Sequence, residues 1–236
     1  MSDFSLPSNY RRIKVVKNFH ELLTTSFTGE INALCWQRSL PGDFGEVIAQ
    51  LGSSEEVVPL ADSQLLRLRV SEAGRNAINA VMEDLKRLRE QQLSPELNCI
   101  QRYPRDEESG AVRTDVYSFH ADSAPVAADT WLCTYHGASS EGLRNDEAAR
   151  RVDIPETHAE LLRLYGGEAD AGFQEFLREN CYDLHYAPLP HAQPFSFGRC
   201  NLWRIALDYP GSPVPPCIHR APETAPGDPP RLLLIS

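Results

Sequence analysis

Several features that mark common classes of protein are absent from this sequence of 236 residues. Its 23 lysine and arginine residues are outnumbered by 33 aspartate and glutamate residues, and the net charge of −10 would repel a polyanion, so we expect no nucleic-acid partner. No apolar run is long enough to span a bilayer, and we therefore expect no membrane partner. The polar and charged amino terminus lacks the continuous apolar core of a secretory signal, which indicates a cytoplasmic protein.

The six cysteines are far apart and include no C-x-x-C pair, which excludes a zinc knuckle and a thioredoxin motif. We interpret them as reduced thiols, as is usual for cytoplasmic proteins. A competing hypothesis is a thiolate-rich zinc site, because soft ligands favour zinc over iron. Its candidate ligands would be Cys133, His136, Cys200 and Cys217.

Charge and proline divide the chain into two regions. Residues 1–95 carry 11 basic and 12 acidic side chains, a net −1, which leaves 12 basic and 21 acidic side chains, a net −9, for residues 96–236. Of the 18 prolines, 11 lie from Pro188 to Pro230, where they exclude helices of ordinary length. We therefore predict a mainly helical region over 1–95 and a strand-rich region over 96–236.

Helices are predicted in the first region at Pro41–Leu51 and Glu72–Gln92, the second from apolar residues that recur every three or four positions. Its apolar face would pack against the second region, although it could instead form the seam of a homodimer. Short apolar runs predict strands at Ile31–Trp36 and Leu65–Val70, with the even-numbered residues of the latter facing the core.

After Pro95 the pattern is typical of many short strands separated by turn residues. The predicted strands are Asp115–His120, Thr130–Tyr135, Tyr182–Tyr186, Phe195–Cys200, Leu202–Asp208, Pro216–His219 and Arg231–Ser236. Helices at Glu156–Tyr165 and Ala171–Asn180 would interrupt the series with an insertion at about 156–180. This pattern predicts an α+β protein, in which a barrel or jelly roll has a helical amino-terminal buttress and a helical insertion.

One set of residues in the strand-rich region could carry chemistry. His120 and Asp122 are two positions apart on a predicted strand, so both side chains leave the same face about 7 Å apart. His219 ends a later strand, and Arg231 opens the last one. Two histidines and a carboxylate leave open positions on an iron(II) ion, as in oxygen-activating non-haem sites. The arginine could hold a cosubstrate carboxylate through paired hydrogen bonds.

A purely structural interpretation of these residues remains open. His120 could be a buried histidine that bonds a neighbouring strand, Asp122 could open a turn, and Arg231 could be an ordinary ion-pair partner. The H-x-D motif is weak by itself, since the chain has a second match at His158 and Glu160. That match lies in a predicted helix, where a two-residue step turns the side chains about 200° apart.

The order H-x-D, then H-R-x-P, then R-L-L-L-I-S resembles the double-stranded β-helix of iron(II)/2-oxoglutarate-dependent oxygenases, over roughly Asp115 to Ser236. The stretches FHADSAPVAADTWLCTYHG and CIHRAP to PPRLLLIS are also similar to an uncharacterised bacterial family of unknown function. The oxygenase resemblance implies metal ligation by His120, Asp122 and His219, and 2-oxoglutarate binding by Arg231. This sequence departs from the family pattern at Leu233, two positions after the arginine, where the family commonly has serine or a similar polar residue.

Two functions follow as hypotheses. The first is an oxidoreductase, an iron(II)/2-oxoglutarate-dependent dioxygenase that acts on a small organic substrate, with no catalytic residue predicted beyond the metal ligands. The alternative is a non-catalytic cupin-like protein that binds or senses zinc or another divalent metal. Trp131, Tyr135 and Arg144 are candidate walls of a substrate pocket, and the loop Ser139–Arg151 is a candidate lid.

Overall fold

Two β-sheets and six α-helices make up the part of the chain that the structure, a computed structural model, describes: residues 5–52, 56–106, 110–225 and 227–236. The strands are β1 (Ile13–Val16), β2 (Ala33–Trp36), β3 (Val57–Pro59), β4 (Glu96–Ile100), β5 (Phe119–His120), β6 (Asp129–His136), β7 (Glu141–Leu143), β8 (Ala148–Arg150), β9 (His185–Pro188), β10 (Phe195–Ser196), β11 (Leu202–Ala206), β12 (Ile218–Arg220) and β13 (Arg231–Ile235). The helices are α1 (Phe19–Thr24), α2 (Phe44–Leu51), α3 (Asp62–Arg67), α4 (Glu72–Glu90), α5 (Pro155–Tyr165) and α6 (Ala171–Glu179). Single 3-10 turns occupy Asn145–Glu147, Arg151–Asp153 and Tyr182–Leu184.

The first sheet has seven strands in the order β1-β2-β11-β6-β13-β4-β3, and the second has six in the order β10-β7-β12-β5-β9-β8. Every pairing is antiparallel except that of β1 with β2. Three strands from the amino-terminal region extend the first sheet at its two edges. The mixed α+β class is therefore confirmed, and the region before residue 95 contributes strands as well as helices.

The four predicted helices are confirmed. The hydroxyl of Ser71 accepts a hydrogen bond from the Gly74 N–H and so begins α4, as its position before the apolar pattern suggests. The helical insertion is also present as α5 and α6, between the edge strand β8 and its neighbour β9 in the second sheet.

The strand predicted at Leu65–Val70 is wrong, because its first half is the end of helix α3. The side chain of Gln64 accepts a hydrogen bond from the N–H of Ala61 at 2.7 Å, which favours a helical first turn. Leu65 is 1% exposed and Leu66 is 55% exposed, the reverse of the predicted alternation. Apolar runs this short do not distinguish a strand from a helix.

The remaining predicted strands are present but are mostly shorter than expected. The run from Asp115 to His120 is extended only at its last two residues, because Asp115 organises a turn before them. Its carbonyl accepts from the N–H of Ser118, and its carboxylate accepts from the N–H of Tyr117. The strand β5 follows this turn directly, and it places His120 between the two sheets.

The first sheet is covered on both faces. Helices α1, α2 and α4 pack against one face, in a core that includes Leu34, Trp131 and Leu234, and the other face meets the second sheet. The apolar residues of α4 are almost fully buried there, with Ile78 and Leu85 at most 1% exposed. The apolar face of α4 is thus buried against the first sheet of its own chain and is not free to form a dimer interface. A homodimer stays a prediction, but it would have to use another surface.

A buried ion pair links α4 to the segment after β2. Arg38 Nη1 donates to Asp84 Oδ1 at 2.7 Å and Nη2 donates to Oδ2, while the hydroxyl of Tyr135 donates to the same carboxylate at 2.8 Å. The side chains of Arg38 and Asp84 are 7% and 1% exposed. Although burial opposes its charge, the hydrogen bond to Asp84 raises the pKa of Arg38.

We expect Arg38→Met to lower the free energy of unfolding by about 3–5 kcal/mol, because it removes the paired guanidinium hydrogen bonds of the buried Asp84 carboxylate and leaves the more distant Arg87, at 3.4 Å, as its only cation among the described residues. Urea denaturation measures this loss. Arg89→Met is the matched control, since Arg89 pairs with Asp62 at the surface and such pairs contribute about 1 kcal/mol or less. Equal losses in the two variants would contradict the prediction.

None of the helices in the described ranges combines the length and apolar character that crossing a bilayer requires.

Candidate metal centre

Two neighbouring strands of the second sheet carry the predicted histidines side by side. His219 on β12 lies directly opposite His120 on β5, and their ring centroids are 4.7 Å apart. The adjacent residues Phe119 and Ile218 pack into a separate apolar cluster on the other face of this sheet. Because side chains alternate along a strand, both histidines face the first sheet.

Asp122 completes the group two residues after His120. Its Oδ1 lies 3.8 Å from Nε2 of His120, and its Oδ2 lies 3.7 Å from Nε2 of His219. All three ligand atoms lie within 4.8 Å of one another. The structure therefore brings together the three residues that the sequence predicts as metal ligands.

Hydrogen bonds to the protein fix how each ligand is presented. Nδ1 of His120 lies 2.8 Å from the carbonyl of Ser118, and Nδ1 of His219 lies 3.4 Å from the carbonyl of Cys217. In the tautomer in which Nδ1 donates to these carbonyls, Nε2 of each ring is a free acceptor. The hydroxyl of Thr130 donates to Asp122 Oδ2 at 2.6 Å and orients the carboxylate from the opposite sheet.

The charge states of these groups suit metal binding. Burial and the neighbouring His219 lower the pKa of His120 to about 4, so the ring is neutral at neutral pH. Burial opposes ionisation of Asp122, but the two histidines and the hydrogen bond from Thr130 outweigh it and lower the pKa of this carboxyl group. Neutral imidazole and ionised carboxylate are the forms that bind metal ions.

The spacing of this group is close to that around a shared divalent ion. Ligand atoms at about 2.0–2.2 Å from an ion are separated by roughly 2.8–3.1 Å in octahedral geometry and roughly 3.3–3.6 Å in tetrahedral geometry. The two carboxylate-to-imidazole separations of 3.7 and 3.8 Å exceed the tetrahedral value by a few tenths of an ångström, so a small inward movement of the side chains would complete the site. Three protein ligands also leave coordination positions open for other molecules.

Arg231 lies on β13 of the first sheet, where it is 2% exposed. Its neighbours Leu232 and Leu234 pack toward the helices and Leu233 packs between the sheets, so alternation directs Arg231 between the sheets as well. Burial lowers the pKa of this guanidinium. Among the residues that the structure describes, no carboxylate pairs with it.

Neutral oxygens surround this buried cation. Nε of Arg231 donates to the carbonyl of Ala138 at 2.8 Å, and Nη2 donates to the hydroxyl of Ser140 at 3.1 Å and lies 3.5 Å from that of Thr134. A buried cation without an anion is costly, and hydroxyl groups beside it can donate to a carboxylate. The surroundings of Arg231 therefore fit a bound carboxylate.

Three other residues predicted near the substrate lie elsewhere. Trp131 and Tyr135 belong to the core between the first sheet and the helices, on the face of β6 that is turned away from the three ligands. Arg144 donates to both carboxylate oxygens of Asp146, at 3.0 and 2.8 Å, and stacks over the ring of Tyr10. These contacts give no support to the pocket role, which stays a prediction for these three residues.

The loop Ser139–Arg151 is held by strand pairing. Its strand β7 pairs with β10 and β12, and its strand β8 pairs with β9. A lid that opens would have to break these pairings, so the structure does not favour the lid hypothesis.

The competing thiolate site does not form. Cys133 faces the helices and Cys217 faces the space between the sheets, so they lie on opposite sides of the first sheet. Across residues 5–52, 56–106, 110–225 and 227–236, His120, Asp122 and His219 form the single group of three or more histidine, cysteine or acidic residues that could share an ion.

A fourth residue beside the ligands escaped the sequence reasoning. His185 on β9 lies opposite His120 on the other side from His219, and the rings of His120 and His185 are 5.7 Å apart. Burial, His120 and Arg151 lower the pKa of His185 to about 4. No spacing motif in the sequence marks His185, because its position depends on the pairing of a strand from the insertion.

The chain was compared with protein-family models, with curated proteins and with solved structures, and none of the three comparisons found a match.

Proposed function

We propose that this protein is a cytoplasmic non-haem iron(II)/2-oxoglutarate-dependent oxygenase that acts on a small organic substrate. The observation that carries the proposal is the convergence of His120, Asp122 and His219 on one possible ion position. The buried Arg231, which lacks a carboxylate partner within the described ranges, supports the choice of cosubstrate. All six cysteines are free thiols, which agrees with a reducing compartment.

The strand order supports a double-stranded β-helix. From β4 to β7 and again from β10 to β13, successive strands alternate between the two sheets, with the insertion between β7 and β10. The alternating strands form the orders β4-β13-β6-β11 in the first sheet and β5-β12-β7-β10 in the second. Two antiparallel four-stranded sheets linked in this way are the arrangement of a jelly roll, with the proposed ligands at the end of β5 and on β12.

Each residue of the proposed site has a defined task. His120 and His219 provide neutral nitrogen ligands, and Asp122 provides an anionic oxygen that Thr130 holds in place. Arg231, with Ser140 beside it, would bind and orient the distal carboxylate of 2-oxoglutarate between the sheets. A ferrous ion held by the triad would supply the oxygen activation that amino-acid side chains lack.

The test is anaerobic addition of iron(II) and 2-oxoglutarate to the purified protein, followed by exposure to oxygen. We expect a weak visible charge-transfer band before oxygen is added, and succinate afterwards. The Asp122→Ala variant is the control and should show neither signal. Tight stoichiometric zinc that survives dialysis, together with no band and no succinate, would instead indicate the non-catalytic metal-binding function.

A further inference from the structure

Two polar side chains next to the proposed metal site, those of His185 and Arg151, each have a buried nitrogen without a hydrogen-bond partner. His185 is 4% exposed, and its Nδ1 is fully buried without a hydrogen-bond partner. Leaving a buried polar nitrogen unpaired costs about 1–3 kcal/mol. This nitrogen, on the strand next to His120, is therefore open to a hydrogen bond with a bound molecule.

Arg151 adds a positive charge beside His185. It lies on the 3-10 turn Arg151–Asp153, which packs against β9, and its charge acts on the ring of His185. Its Nε is buried and has no hydrogen-bond partner. No ion pair joins Arg151 to an acidic residue in the described ranges, and burial together with Arg113 lowers its pKa.

The two described carboxylates whose charges act on His185, those of Asp106 and Asp115, are already engaged. Asp115 accepts a hydrogen bond from Arg113 at 2.7 Å, and Asp106 accepts from the N–H groups of Thr114 and Asp115. Neither carboxylate forms an ion pair with Arg151. The unpaired cation and the unpaired imidazole nitrogen therefore remain available to an anion from outside the protein.

We propose that Arg151 and His185 form a subsite for an oxyanion group of the substrate, beside His120. This inference rests on the proposed oxygenase function, and it assigns the substrate to the small organic anions. Arg231 is then left for the cosubstrate, and the anionic group of the substrate lies on the side of His120 opposite to His219. The anionic group would accept a charge-assisted hydrogen bond from Arg151 and a second hydrogen bond from Nδ1–H of His185, in the neutral tautomer that carries its proton on that nitrogen.

The test uses inorganic sulfate and the metal-free protein, so that neither metal binding nor turnover affects the result. We expect saturable binding in titration calorimetry, weakened at least about tenfold in Arg151→Met by the loss of a charge-assisted hydrogen bond and partly restored in Arg151→Lys. Arg163→Met is the matched control, because Arg163 lies on α5 of the same insertion with a side chain that is 80% exposed. It should bind sulfate as the wild type does.

The position of the bound anion is determined separately, in crystals of the wild-type protein soaked in selenate. An anomalous peak within hydrogen-bond distance of Arg151 and His185 would support the subsite even if a variant failed to fold. A peak at Arg231 alone, no saturable sulfate binding, or unchanged affinity in Arg151→Met would overturn it. Metal binding and succinate formation are measured independently, so failure of the subsite is distinguishable from failure of the proposed function.

Discussion

Replacing His219 or Asp122 by alanine should abolish stoichiometric binding of a divalent metal. Each residue supplies one of three ligand atoms that lie within 4.8 Å of one another. Residues that merely orient metal ligands account for about 10- to 100-fold in affinity, so loss of a ligand itself should exceed a hundredfold. Equilibrium dialysis against zinc or iron(II), followed by metal analysis, measures this effect.

The second H-x-[DE] match provides the control. His158 and Glu160 lie on helix α5, where His158 stacks edge-on against Phe173 and its Nδ1 lies 3.1 Å from the carbonyl of Val152. His158→Ala should retain full metal occupancy. Full occupancy in His219→Ala and Asp122→Ala as well would show that the ion binds elsewhere.

Arg231→Met should weaken 2-oxoglutarate binding at least about thirtyfold, because truncating one partner of a buried charge pair costs about 2 kcal/mol or more. The measurement is a titration of the iron(II) protein with 2-oxoglutarate under anaerobic conditions, followed by the charge-transfer band. Arg89→Met is the control, since Arg89 is paired with Asp62 at the surface and should not affect the titration.

The free energy of unfolding distinguishes a cosubstrate-binding role of Arg231 from a purely structural one. Arg38→Met removes the two guanidinium hydrogen bonds of a buried carboxylate, whereas Arg231→Met leaves no carboxylate unpaired in the described ranges. Without cosubstrate, Arg231→Met should therefore lower the free energy of unfolding by less than Arg38→Met does. A larger loss, with unchanged binding of 2-oxoglutarate, would mean that Arg231 stabilises the fold and binds no cosubstrate.

The helices follow from sequence because local information determines them. The three- and four-residue apolar period of α4 and its Ser71 cap are both visible without a structure. The run Leu65–Val70 is too short for its period to distinguish a strand from a helix. Its first residues belong to helix α3, whose first turn is stabilised by the hydrogen bond that Gln64 accepts from Ala61. The pair of Arg38 with Asp84 could not be predicted, because a charged residue on an amphipathic helix normally faces solvent.

The residues of the candidate metal site could be predicted from the sequence, but the residues that surround it could not. His120 and Asp122 share a local motif, and His219 and Arg231 follow it at the end and at the start of predicted strands. Their proximity depends on the register of β5 with β12, which joins distant parts of the chain. His185 depends on a further pairing, of β9 with β5, and no local motif indicates which residue such a pairing brings close.

The most direct test of the metal centre is a crystal structure of the protein loaded anaerobically with iron(II), with anomalous diffraction measured at the iron absorption edge. We expect one strong peak about 2.0–2.2 Å from Nε2 of His120, Nε2 of His219 and a carboxylate oxygen of Asp122. A peak bound by other residues, or no peak in a protein that contains stoichiometric iron, would contradict the assignment.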